Sequence, residues 1–136
     1  MIYIFPAKCW REYVDILRIT ISSTTRAVQL AIITSLSSVI DRLAPEIFFH
    51  FTKEVHKIIT HALDVANYSV LKTEALKILV LLLKKTLVLA LDEGIMHDIR
   101  SVYLLRVEEA LRTDASPEVK SRADEAKRLI MSMPVD

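Results

Sequence analysis

A single glycine, Gly94, serves the whole chain. Tight β-hairpins need residues that accept positive φ, above all glycine beside asparagine or aspartate, and a sheet protein would need several such turns. With 1 glycine and 4 prolines in 136 residues, the connections must be of the kind that join helices. The expected fold class is therefore all-α, in one domain spanning 1–136, a length at which a single core can form.

Apolar residues recurring at three- and four-residue intervals mark six segments. The first, near Pro6 to Thr20, places Trp10, Val14 and Leu17 on one side behind a proline suited to an opening turn. The hydroxyls of Ser22 to Thr25 can cap a second, with Val28, Ile32, Leu36, Val39, Ile40 and Leu43 as its stripe up to Ala44-Pro45. A third follows Pro45, with Phe48, Phe51, Val55, Ile58, Ile59, Ala62 and Val65 opposite a mostly charged face, and ends near Asn67. Ser69 can cap a fourth, in which Leu71, Ala75, Leu76 and Ile78 to Leu83 leave almost no polar face, so it is expected at the centre. Gly94 stands where a helix C-terminus uses a left-handed residue, ahead of a fifth segment built on Ile95, Ile99, Val102, Leu105 and Val107 and ending near Thr113. Ser116-Pro117-Glu118 supplies a cap, a first-turn proline and a dipole-complementing acid for the sixth, carried by Val119, Ala123, Ala126, Leu129 and Ile130.

Six helices with short links group into three antiparallel pairs, and a weak repeat runs through them. Arg26, Lys72 and Lys120 open the second helix of each pair, spaced 46 and 48 residues apart, near the roughly 40–47 residues of HEAT and armadillo units. In the third pair Asp114 in the turn is followed by Val119-Lys120 and then Ala123; the second pair keeps Lys72 and Ala75, with Leu71 for Val and Asp64 two residues early; the first keeps Arg26. On these residues the chain resembles the HEAT-repeat family. The resemblance implies a HEAT-like right-handed superhelix, either whole or a segment of a longer solenoid. It also implies that Arg26, Lys72 and Lys120 form a ladder with turn acids, Asp114 holding Lys120.

Composition narrows the partners. The 18 basic and 17 acidic side chains leave a net charge of +1, too little for the field by which proteins hold nucleic acid or anionic lipid. The longest apolar stretch, 75–91, is interrupted by Lys77, Lys84 and Lys85, which argues against a membrane span. Cys9 is the only cysteine, so no internal disulfide forms and a reducing compartment is expected, the cytoplasm first and the nucleus as the alternative. The apolar share of 52% exceeds what a monomer of this size needs, pointing to an open end, an oligomer interface or a groove.

Catalytic and metal-binding patterns are sparse in the sequence. His50, His56, His61 and His97 never stand three or four apart, the spacing that shares two ligands on one helix face. Glu93 and His97, with Asp92 and Asp98, form the best acid–base candidate, but acids commonly gather in a first helical turn. Neither catalysis, cofactor nor metal is expected. The expected function is a non-catalytic interaction scaffold holding a protein partner along the surface of its second helices, with Gln29, Glu74 and Arg122 as exposed contacts and Phe49 as a candidate anchor. The alternatives are a VHS- or ENTH-like superhelix that recognises peptide or lipid signals, or a helical module that pairs two copies of the chain.

Overall fold

The computed structural model describes residues 7–21, 25–42, 52–65, 68–89, 93–114 and 116–133. Among them are six helices and no strand: α1 (Ala7–Ile21), α2 (Arg26–Arg42), α3 (Thr52–Asp64), α4 (Ser69–Leu89), α5 (Glu93–Thr113) and α6 (Pro117–Met131). The all-helical class follows from the shortage of turn residues.

α4 is the centre, as its composition requires. Leu71, Ala75, Leu76, Ile78, Leu79, Leu82 and Leu83 are fully buried, and the helix packs against α2, α3 and α6. Each large aliphatic side chain removed from water contributes about 1.5–3 kcal/mol. Two buried hydroxyls on α4 are satisfied within the helix, Thr73 Oγ1 donating to the Ser69 carbonyl at 2.9 Å and Thr86 Oγ1 to the Leu82 carbonyl at 2.8 Å. One line of α4 side chains at successive helical turns, Val70, Glu74, Lys77, Leu81 and Lys84, lies wholly or partly at the surface.

The other helices present one apolar stripe each. α1 buries Val14, Leu17 and Ile21, α3 buries Val55, Ile58, Ile59 and Ala62, and α6 buries Val119, Ala123, Ala126 and Ile130. α6 starts as its sequence dictates: Pro117 leads the first turn and the Ser116 hydroxyl accepts from the Val119 amide at 3.5 Å. Packing follows the even helices in a row, α2 on α4 and α4 on α6, while α1 packs on α3 and α5 on α6.

Three expectations are corrected at this level. On α2 the buried face is Gln29, Ile32, Ile33, Leu36 and Ile40, with Val28 exposed. Gln29 turns inward because its amide donates to the Ile21 carbonyl at 3.1 Å, satisfying a group left open at the end of α1. On α5 the buried residues are Met96, Ile99, Tyr103 and Val107, and Leu105 is 77% exposed. Spacings of three and four along that set define one face, which Leu105 misses. Gly94 lies in the first turn of α5 and does not terminate the preceding helix. Leu43, Phe48, Phe49 and Phe51 lie outside the described residues.

Candidate interaction surface

The strip along α4 and the neighbouring faces of α2 and α6 form a surface whose charges are tied to one another. On α4, Lys77 Nζ is 3.0 Å from Glu74 Oε1. Between α4 and α6, Glu125 is shared: Lys84 Nζ lies 3.7 Å from one oxygen and Arg122 3.5 Å from the other. All of these side chains keep substantial contact with water, so each pair adds little stability, about 0–1 kcal/mol. Their effect is to fix where charge stands. The α2 side is uncharged over its exposed middle turns, with Ala27, Ala31, Thr34 and Ser38 at the surface.

Of the four candidate contacts, Glu74 and Arg122 are half-buried members of this surface. Gln29 is not a surface residue; it is 8% exposed and engaged with the end of α1. Phe49 lies outside the described residues.

A second set of residues joins α2 and α4 each to the turn that follows the next odd helix. The Arg26 guanidinium, opening α2, sits 5.2 Å from the centre of the Tyr68 ring, and the Tyr68 hydroxyl donates to the Arg26 carbonyl at 3.3 Å. Lys72, in the first turn of α4, places Nζ 3.8 Å from Asp114 Oδ2 in the turn between α5 and α6. Asp114 Oδ1 accepts from the Ser116 amide at 2.9 Å and the Ser69 hydroxyl at 3.4 Å. The expected pairing of Asp114 with Lys120 is thus corrected. The acid reaches back to Lys72, because Lys120 lies in the α6 turn that points to solvent and is exposed. Both links span the same 42 residues of sequence.

Beside the second link, a cleft of about 410 Å³ opens between the ends of α3 and α5, lined by Leu63, Asp64, Lys72, Arg106, Glu109, Ala110 and Thr113. Arg106 spans its edge, donating to both oxygens of Asp64 at 3.2 and 3.3 Å and to the Val102 carbonyl at 2.8 Å. Deeper along the same α3–α5 seam, His56 Nδ1 is hydrogen-bonded to the Tyr103 hydroxyl, the rings meeting edge to face at 5.1 Å. Tyr103 is fully buried. Burial lowers the His56 pKa to about 4, the Asp98 carboxylate opposing it, and burial raises that of Tyr103, with Arg106 opposing.

Sequence reasoning missed this pair. The spacing of the histidines speaks only to metal ligation, yet Tyr103 sits four residues from both Ile99 and Val107 on the buried α5 stripe, a position that buries a phenol and demands a partner for it. Around the Glu93 candidate, His97 and Asp98 are exposed, and Asp92 lies outside the described residues. Among the described residues no three His, Cys, Asp or Glu side chains converge as a metal site would require, and no helix is long and apolar enough to cross a membrane.

No family model, curated protein or solved structure matches the chain.

Proposed function

We propose that this chain is a non-catalytic scaffold, a short HEAT-like α-solenoid that holds a protein partner along the surface of α2, α4 and α6. The observation that carries this reading is the recurrence of one link at one interval. The base opening α2 meets the turn before α4, and the base opening α4 meets the turn before α6, each 42 residues on. A closed bundle has no reason to repeat a contact with its own sequence period, whereas stacked units touch only their neighbours and do so in the same way each time. The even helices contacting in series, α2 to α4 to α6, fit the same stacking.

A row of helices of this kind offers an extended, pre-organised face, and here that face carries fixed charges around Leu81. The test is affinity capture with the intact chain, identification of the bound polypeptide, and comparison with a Glu74→Lys, Arg122→Glu variant. The proposal expects at least a ten-fold loss of capture for a loss of stability of about 1 kcal/mol or less per substitution, since each half-buried side chain gives up one water-exposed ion pair. Undiminished capture by a variant that folds normally overturns the choice of face.

A further inference from the structure

The cleft at the α3–α5 seam has its main charges already matched, Arg106 by Asp64 and Lys72 by Asp114. What its neighbourhood leaves unexplained is the ionisable pair inside the seam. Apart from His56 and Tyr103, the seam could have been filled with aliphatic side chains like the rest of the core. Instead it holds an imidazole against a phenol with no exposed surface of its own.

The surroundings of His56 supply little to stabilise a positive charge. From α5, Asp98 is the one carboxylate close enough to favour imidazolium, and it is exposed on the seam's rim; Arg106 acts on the Tyr103 side. On α3 itself Lys53 and Lys57 are exposed and Glu54 is half-buried. α1, α2 and α4 also pack on α3, and the buried polar side chains they bring are Gln29, Thr73 and Thr86, none of them charged. The rest of the molecule is joined differently. The buried side chains by which α4 meets α2 and α6 are aliphatic or neutral, and the charged contact there, Lys84 with Glu125, is exposed to water.

We propose that the α3–α5 seam is an acid-sensitive joint, in which protonation of His56 against Tyr103 loosens α5 from α3 while the packing of α4 on α2 and α6 persists. The sign follows from the two states. An opened seam exposes His56 to water, where it takes a proton near its ordinary pKa of 6.5, while in the closed seam it stays neutral down to about 4. Above pH 6.5 both states are neutral and the seam is fully stable; between 6.5 and 4 the open state alone gains the proton and closure weakens. From pH 7.5 to 5.0 the closing equilibrium should fall roughly thirty-fold. At neutral pH closure is at full strength, and in a mildly acidic compartment it is weakened beside the cleft.

The experiment is amide hydrogen exchange on the intact chain at pH 7.5 and 5.0, with protection factors corrected for the intrinsic pH dependence of exchange. The expected result is a loss of protection of roughly thirty-fold confined to the facing turns of α3 and α5, with α4 and α6 unchanged, and its disappearance in His56→Leu. Unchanged protection across the seam overturns the proposal. So does an equal loss in α4 and α6, which is global unfolding, or the same loss in His56→Leu. Should that variant fail to fold, the His56 ring titration in the wild-type chain decides: a midpoint near 4 supports the joint, and one at 6 or above overturns it.

Discussion

A carboxylate with 8% of its side chain exposed needs partners for both oxygens, and Asp114 has three: the Ser116 amide, the Ser69 hydroxyl and the Lys72 ammonium. Truncating it would leave those donors unmatched at the joint of α4, α5 and α6. Asp114→Ala is therefore expected to destabilise the protein by about 1–3 kcal/mol in chemical denaturation, while Lys120→Ala, at an exposed site, should cost about 0.5 kcal/mol or less. A larger effect at Lys120 would restore the pairing that the resemblance implied. Here the sequence was half legible. The repeat of Arg26, Lys72 and Lys120 pointed to a ladder, but a link between a base and the turn 42 residues on cannot be read from local spacing, because nothing local says which turn stacks on which helix. Gln29 is a similar case. A glutamine on a helix reads as exposed unless the open carbonyl it satisfies, at Ile21, is already known.

At the scale of elements, legibility followed the strength of the pattern. α4 needed no tertiary knowledge, since a helix apolar nearly all round must be enclosed. Leu79→Asp buries an unpaired carboxylate there and is expected to cost several kcal/mol, against a total stability of about 5–15 kcal/mol, and so to abolish cooperative folding. Leu105→Asp, at the expected stripe position that is 77% exposed, should leave the thermal transition almost unchanged. The comparison checks burial directly, since hydrophobicity alone would rank the two leucines equally. On α5 the expected Ile99 and Val107 are buried and Val102 packs on the core, while Leu105 falls on a second apolar face, a choice that packing against α6 and the His56–Tyr103 contact decide. α6 was read well because its start signals and its single stripe agree.

At the scale of the whole molecule, the absence of hairpin turns made the all-helical class legible, and circular dichroism should report a predominantly helical chain with no strand contribution. The order in which helices stack was not legible, because it depends on which faces meet across 40 or more residues. Stacked and closed arrangements of six helices bury similar residues but separate α2 and α6 differently. Neighbouring packed helices lie about 8–10 Å apart between axes. With α4 interposed, α2 and α6 should then stand roughly 20 Å apart. Spin labels at exposed Thr34 on α2 and Arg128 on α6, with Cys9 replaced by serine, measure this by pulsed electron resonance. The account predicts one narrow distance distribution consistent with α4 lying between the two helices. A distribution centred at the spacing of directly packed helices would mean that the six helices close into a bundle, and the scaffold reading would fall with it.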